Sequence, residues 1–334
     1  MRDKRTNLTG KERHAVKKIV LITPAPSYSL KGNRMTATRW ARFLKELGHK
    51  VVIEQKYSGL SCDLMIALHA RRSFFSIEQF RKLYNDKPII VVLTGTDLYK
   101  DIHVDQDSQK SLEYANRLVV LQQMGIMELP ETFRSKARVV YQSAIGPKGD
   151  IPKLKKTFDV CVIGHLRSVK DPFRASLASR QLPVSSRVRI LHLGDALDSN
   201  AEEIARKETI QNPRYCWLGE RPHWKTLRIL ASSQLLVLSS LMEGGANVIS
   251  EAIITGVPVL ASKISGSIGM LGKDYPGYFP IEDTKSLADL ILRAEDDPLF
   301  LEQLKQWIQP LAQRHKPDAE KSSLEKLLKE FNFG

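Results

Sequence analysis

The stretch SSLMEGGANVISEAIITGVPVLAS, residues 239–262, carries the clearest fold signature in this sequence of 334 residues. A glycine pair follows Glu243, an apolar helical stripe follows the pair, and Gly256 precedes the strand-like run VPVL. A helix start opened by glycines presents free backbone N–H groups, which suits it to hold a phosphate. Glu251 lies eight residues after Glu243 and on a different face from the stripe, where its carboxylate can accept hydrogen bonds from both hydroxyls of a ribose. We therefore predict a nucleotide site at this turn and helix.

The same alternation of strand and helix extends in both directions from this stretch. Helical patterns such as MTATRWARFLKELGHK, residues 35–50, separate apolar runs that are typical of buried strands. The predicted strands cover 17–23, 50–54, 64–70, 88–94, 117–122 and 137–142, and then 158–164, 187–194, 214–219, 234–240 and 257–262. Strands that alternate with helices indicate parallel sheets with helices on both faces.

Two such halves predict an α/β protein of the GT-B architecture, in which two Rossmann-like, doubly wound domains face each other across a cleft. The predicted parts are a basic, disordered tail at 1–16, a first domain at 17–148, a linker at 149–157, a second domain at 158–316, and a C-terminal helix at 317–334 that is able to pack back on the first domain. Ligands of doubly wound folds bind at the carboxyl ends of the strands, so the cleft is the predicted site.

Composition and charge exclude several classes of protein. The apolar fraction of 42% supports sizeable cores, and no apolar run reaches the roughly 18–20 residues of a membrane-spanning helix. The net charge of +14 comes without a recognised nucleic-acid-binding signature, so it favours small anionic substrates over a nucleic-acid partner. Three scattered cysteines predict reduced thiols and no metal cluster. Because the N-terminus lacks the apolar core of a secretory signal, we expect a cytoplasmic enzyme whose basic tail makes at most weak contact with anionic surfaces.

The loop after the first strand of the second half brings cations to the predicted cleft. In VIGHLRSVKDP, residues 162–172, Gly164 ends the strand and Arg167 and Lys170 follow it. Two cations at this place can neutralise a leaving diphosphate. The segment WLGERPHWKT, residues 217–226, is a candidate to hold a nucleotide base, which is implied only by the resemblance to known enzymes given below. Its candidate lining residues are Trp217, Gly219 and Arg221.

Polar side chains follow three predicted strands of the first half. The candidates are Gly32, Asn33, Arg34 and Thr36 after the first strand, His69 after the third, and Thr96 and Asp97 after the fourth. At the predicted helix start the positive end of the helix dipole and the Arg34 guanidinium converge, which indicates an anion site. His69 is a candidate to bond a reacting group or handle a proton, and Asp97 to orient a hydroxyl or a basic partner.

These motifs resemble known enzymes at two levels. The spacing of Glu243 and Glu251, E-x7-E, and the continuation E-A-x-x-x-G-x-P-V resemble the retaining GT-B glycosyltransferases. More narrowly, about residues 17–330 resemble the selenosugar synthases of the selenoneine biosynthesis pathway. The motifs that carry this resemblance are TPAPxxSxxGNRxTAxRWAxxLxxLGHxV at residues 23–51, IALHARRS, VVLTGTDLY, VIGHLRxVKDP and SSxMEGGANVxSEA.

The narrower resemblance implies a reaction between UDP-N-acetylglucosamine, or a related UDP-sugar, and selenophosphate. The first domain would bind the acceptor and the second the donor, and the products would be a 1-selenosugar, UDP and phosphate, with no cofactor or metal. The implied catalytic residues are His69, Arg34, Arg167 and Lys170. The implied donor-binding residues are Gly164, Arg167, Lys170, Glu243, Gly244, Gly245, Ala246, Asn247 and Glu251. The implied selenophosphate-binding residues are Gly32, Asn33, Arg34, Thr36, Thr96 and Asp97.

Other functions remain open from the residues alone. The first alternative is an ordinary GT-B hexosyltransferase that uses a UDP-sugar and a sugar, lipid or small-alcohol acceptor. A UDP-sugar epimerase shares the fold and acts on one substrate, and a nucleotide-binding module without catalysis is the remaining class. Product analysis distinguishes the selenosugar synthase from these three alternatives, because each of the four functions predicts a different product or none.

Overall fold

The computed structural model describes residues 16–27 and 32–333, and the first half of these residues is built on one parallel sheet. Apart from Val16, the predicted tail lies outside the described residues. The strands of this half are β1 (Lys18–Ile22), β2 (Lys50–Glu54), β3 (Leu64–Leu68), β4 (Ile89–Leu93), β5 (Arg117–Val120) and β6 (Ala137–Val139). Its helices are α1 (Gly32–Glu46), α2 (Phe74–Leu83), α3 (Ile102–Val104), α4 (Gln106–Tyr114), α5 (Gly125–Glu128) and α6 (Glu131–Arg134), with a π-helical turn at Asp97–Asp101.

The second half repeats this plan. Its strands are β7 (Phe158–Ile163), β8 (Val188–Leu193), β9 (Tyr215–Gly219), β10 (Leu235–Leu238), β11 (Val259–Ser262) and β12 (Tyr278–Phe279). The helices are α7 (Arg174–Ser179), α8 (Ser199–Gln211), α9 (His223–Ser232), α10 (Asn247–Thr255), α11 (Ser265–Leu271), α12 (Thr284–Asp296), α13 (Pro298–Ile308) and α14 (Pro317–Lys329), with 3₁₀ turns at Ser168–Lys170 and Pro310–His315. Within the described residues, every helix is too short or too polar to cross a bilayer.

Each sheet has six parallel strands, in the orders β2-β1-β3-β4-β5-β6 and β12-β11-β10-β7-β8-β9. The predicted α/β class, with two doubly wound units, is confirmed. Strands β3 (LMIAL) and β4 (IIVVL) are buried along their whole length, as expected for strands covered by helices on both faces. The first strand of each half, β1 or β7, lies where the strand order reverses, and such reversal points open the ligand crevice.

Helix α10 follows the sequence signature closely. It begins at Asn247, directly after the Glu243–Ala246 turn, and buries Ile249, Ala252 and Ile253 against the second sheet. Gly256 ends the helix with a φ of 67°, a left-handed conformation that glycine adopts without strain. The start of α10 is therefore fixed at the carboxyl edge of β10.

The C-terminal helix α14 packs against the first half although it follows the second half in the chain. Leu324, Leu327 and Leu328 share one apolar cluster with Trp40 and Leu44 of α1. The face of α1 that is turned toward α14 is thus covered by the last helix of the chain.

A buried carboxylate fixes the same helix through polar contacts. Glu320 accepts hydrogen bonds from Arg39 Nε at 2.8 Å, from the Trp40 indole at 2.7 Å and from the Ser143 backbone N–H at 2.7 Å. The Ser143 hydroxyl also donates to it. Glu320 therefore joins α1, α14 and the segment that leaves the first half.

Candidate active site

The Glu243–Ala246 turn lies where the two halves meet. A β-carbon on Gly244 would collide with the backbone of Thr94 and Gly95, and one on Gly245 would collide with Leu121. Only glycine allows so close an approach between the turn and the carboxyl ends of β4 and β5. The predicted donor turn therefore touches the first half directly, and the cleft is closed at this point.

Glu243 and Lys170, both predicted donor-site residues, form an ion pair beside this turn. The Ser240 hydroxyl donates a second hydrogen bond to Glu243 at 2.6 Å. Lys170 ends the 3₁₀ turn after β7, whereas Arg167 precedes that turn with an exposed side chain. The Gly164 carbonyl accepts from His192 at 3.1 Å, which holds the end of β7 in place. Both predicted cations thus lie in one loop at the edge of the cleft.

Glu251 is mostly buried on α10 and bonds His223 at the start of α9, with 2.8 Å between Oε1 and Nε2. Sequence reasoning missed His223, although it lies inside the segment assigned to the nucleotide base. The sequence sign that could have indicated His223 is its place directly after Arg221 and Pro222, where α9 begins. By accepting this hydrogen bond, Glu251 raises the pKa of His223 above its ordinary value.

A cavity of about 950 Å³ opens beside this pair, between the two halves. Glu251 and Asn247 of α10 line it from the second half, and Arg34 of α1 lines it from the first. Its further lining residues include Met35, Arg39, Arg42, Ile145, Lys148, His223, Trp224, Leu227 and Arg228. The cavity thus combines apolar walls with a cationic border, a combination suited to an amphipathic anion such as a nucleotide.

The segment 217–226 differs from the sequence expectation in which of its side chains face the cleft. The Trp217 indole donates to the Gly194 carbonyl at 2.9 Å and is half-buried within its own half. Arg221 is exposed and donates to the neighbouring Glu220 carbonyl. Instead, Trp224 lines the cavity with 65% of its surface exposed. Within this segment the tryptophan that lines the same cavity as Glu251 is therefore Trp224, which lies in the first turn of α9, and not Trp217 of β9.

The starts of α1 and α10 approach each other across the cleft. Gly32 opens α1, and a β-carbon built on it would lie 3.8 Å from the Asn247 side-chain nitrogen. Asn33 and Arg34 follow in the first turn of α1, both partly exposed. Since both helix starts carry partial positive charge, their proximity favours an anion between them.

Thr36 and Asp97, expected at the acceptor, are turned inward. Thr36 is buried and accepts from the Gln142 amide at 2.6 Å. Asp97 is fully buried, and its carboxylate accepts the backbone N–H groups of Thr94, Gly95 and Ala70 at 2.8–3.1 Å. Asp97 thus ties the loop after β4 to the loop after β3. Contrary to the expectation, both side chains have their polar groups engaged inside the protein.

His69 and Thr96 meet at the carboxyl ends of β3 and β4. His69 is buried with a positive φ of 73°, a strained conformation for this residue type. Its Nδ1 accepts the Arg72 backbone N–H at 3.4 Å, so the ring proton lies on Nε2, which donates to the Thr96 hydroxyl oxygen at 3.3 Å. The Thr96 hydroxyl hydrogen is therefore left to donate elsewhere.

Across 16–27 and 32–333, no cluster of three or more histidine, cysteine, aspartate or glutamate side chains is arranged to hold a metal ion. The charged groups that meet at the cleft are instead the cations and carboxylates described above.

The His223–Glu251 pair predicts a pH-dependent stability. A raised pKa means that the folded protein binds the His223 proton more tightly than the unfolded chain does. The contribution of the pair to the free energy of unfolding is therefore complete below about pH 6 and is lost as the pH rises through the raised pKa. We expect the unfolding free energy of wild type relative to His223→Gln to be larger below about pH 6 than above about pH 8, measured by urea denaturation. His192 and His315 have pKa values lowered to about 4 by burial. Because wild type and His223→Gln both contain these two histidines, their effect on the free energy of unfolding cancels in the comparison. A pH-independent difference would contradict the pairing.

Comparison with known proteins agrees with this architecture. Residues 148–313 match the family described as glycosyl transferases group 1. The glycosyltransferase 1 domain-containing protein 1 of Xenopus tropicalis is 25% identical over 275 residues, which cover 74% of this chain and 79% of that protein.

Two solved structures are similar over nearly the whole chain. HepE of Anabaena, in complex with UDP and glucose, gives a TM-score of 0.73 at 18% identity, covering 94% of this chain and 100% of that one. Sucrose-phosphate synthase from Thermosynechococcus elongatus gives 0.76 at 14% identity, covering 94% and 99%. At these identities the likeness shows the fold, which is GT-B. The family match over 148–313 covers the second half of this fold.

Proposed function

We propose that this protein transfers the sugar of a UDP-sugar, UDP-N-acetylglucosamine, to the selenium of selenophosphate. The observation that carries the proposal is the cleft itself, where the starts of α1 and α10 meet and Arg34 lines the same cavity as Glu251. An enzyme that brings a nucleotide diphosphate and a second anion together must offset their mutual repulsion. Positive charge on both walls of the cleft meets that requirement. The sequence motifs that resemble selenosugar synthases support the choice of selenophosphate as the acceptor.

The donor is assigned to the second half. Glu251 would accept the ribose hydroxyls, with His223 holding the carboxylate in place, and Trp224 would lie against the base. The Gly244–Asn247 turn and the start of α10 would hold the diphosphate. This assignment is supported by HepE, a protein of the same fold whose structure contains UDP and glucose.

Lys170 and Arg167 are proposed to act on the leaving group. In this structure Lys170 is paired with Glu243, so an incoming diphosphate competes with that carboxylate for the ammonium. The two cations would stabilise the charge that grows on UDP as its bond to the sugar breaks.

The chemistry then needs no strong base. A selenium lone pair forms the C–Se bond at the anomeric carbon while the bond from that carbon to the β-phosphate oxygen breaks, and UDP leaves with the electron pair. Water then cleaves the Se–P bond, which gives the 1-selenosugar and phosphate. His69 donates from Nε2 to Thr96, which fits a hydrogen-bonding role better than proton abstraction.

Product analysis tests the proposal. Purified protein is incubated with UDP-N-acetylglucosamine and selenophosphate, and the mixture is examined by mass spectrometry for a selenium-containing N-acetylhexosamine and for UDP. Parallel reactions contain inorganic phosphate, a hexose or a small alcohol in place of selenophosphate. Formation of the selenosugar supports the proposal. Transfer only to carbon-based hydroxyls, epimerised UDP-sugar, or no turnover overturns it in favour of the corresponding alternative.

Arg34 gives a prediction about the acceptor. The guanidinium can bond two oxygens of a tetrahedral oxyanion at once, whereas lysine presents a point charge, so Arg34→Lys is not conservative at this position. We expect the KM for selenophosphate to rise at least about tenfold, near 1.4 kcal/mol. UDP affinity is measured alongside by calorimetry, because Arg34 lines the cavity that also contains Glu251. A loss of UDP affinity with an unchanged KM for selenophosphate would move Arg34 to the donor site.

A further inference from the structure

A second, smaller cavity lies on the first half, among the residues that follow β3 and β4. Its volume is about 260 Å³, below the roughly 300–1,000 Å³ of pockets that hold drug-sized ligands. Arg71, Arg72, Thr96, Lys100 and Asp101 line it. We call it the Arg72 pocket. It fits a small ion better than a sugar ring.

The Arg72 pocket has surplus positive charge. Arg71 is neutralised by Asp101 at 3.6 Å and Asp105 at 3.2 Å. Arg72 and Lys100 are exposed, and over residues 16–27 and 32–333 neither side chain forms an ion pair. Two uncompensated cations around one small cavity favour an anion.

The Thr96 hydroxyl supplies a third group. Because His69 donates to the Thr96 oxygen, the hydroxyl hydrogen is free to donate, and Thr96 lines the pocket. Lys100 belongs to the π-helical turn Asp97–Asp101, an irregularity that is frequent at functional sites. One hydroxyl donor and two cations form a donor set suited to a tetrahedral oxyanion.

The loop that carries Thr96 also contacts the donor turn. Thr96 is two residues from Thr94, whose carbonyl packs against Gly244 of that turn. The inward-turned Thr36 and Asp97 leave the acceptor anion in need of other partners. The geometry points to the Arg72 pocket, through Arg72, Lys100 and Thr96, as a subsite that acts together with Arg34 to bind the phosphoryl oxygens of the acceptor and to select an oxyanion over a neutral sugar. This inference rests on the proposed function.

The test compares Arg72→Gln and Lys100→Gln with Lys110→Gln, which removes the same charge from an exposed position of α4 in the same half. In each protein we measure kcat and KM for selenophosphate, the inhibition constant of inorganic phosphate, and UDP affinity. We expect both the KM for selenophosphate and the inhibition constant of phosphate to rise at least about tenfold in the two pocket variants. UDP affinity should stay within about twofold of wild type, and Lys110→Gln should resemble wild type throughout.

The outcomes separate the inference from the proposed function. Failure of the wild-type protein to form a selenosugar overturns the proposed function. If wild type forms it and the pocket variants keep their KM and phosphate inhibition, the Arg72 pocket is not the acceptor subsite. Equal losses in all three variants would indicate long-range charge alone and would also overturn the inference.

Discussion

Replacing Glu320 by alanine should lower the free energy of unfolding by about 3–5 kcal/mol, because it leaves the Arg39 guanidinium mostly buried without its carboxylate partner. The Trp40 indole and the Ser143 N–H lose their acceptor at the same time. Urea denaturation monitored by tryptophan fluorescence measures the loss.

Two further variants of α14 show whether the loss of stability comes from the buried carboxylate of Glu320. Glu325 pairs with Lys329 on the exposed side of the helix, so Glu325→Ala should cost well under about 1 kcal/mol. Glu320→Gln preserves shape and one acceptor oxygen, and should cost less than Glu320→Ala. An alanine variant at 320 that is no less stable than the one at 325 would show that the buried carboxylate does not hold α14.

Glu251→Ala should weaken UDP binding by about ten- to a hundredfold, which corresponds to about 1.5–3 kcal/mol for hydrogen bonds to a charged group. In the free protein one carboxylate oxygen is held by His223, so its orientation is set before the ribose arrives. Calorimetric titration with UDP measures the change directly.

Glu202→Ala serves as the matched control, because it removes one exposed carboxylate from α8 of the same half. Its UDP affinity should equal that of wild type. If Glu251→Ala binds UDP as tightly as this control, the ribose is held elsewhere and the donor site has been misplaced.

Much of the fold could be predicted from local patterns. The continuous apolar strands and the glycine-opened start of α10 are encoded by neighbouring residues, so sequence periodicity was sufficient for both. The sequence also predicts Lys170, Glu243 and Glu251 at the cleft, because they lie in a loop, a turn and a helix that follow strand ends.

What the sequence could not predict depends on packing between distant segments. His223 and Glu251 are 28 residues apart, and only the arrangement of α9 beside α10 joins them. Thr36 and Asp97 occupy positions typical of site residues, but Gln142 and three backbone N–H groups engage them. Of Trp217 and Trp224, only Trp224 lines the cavity, because it lies on α9 and Trp217 lies on β9. The sequence alone does not show which of the two elements faces the cleft.

The return of α14 to the first half also affects the order in which the chain can fold during synthesis. The first half is complete in sequence by β6, but the helix that covers α1 is not made until about 180 residues later. At about 5–20 residues per second, the ribosome leaves this face of α1 uncovered for about 10–40 s. The first half therefore emerges as an unfinished unit, and its final packing waits for the end of the chain.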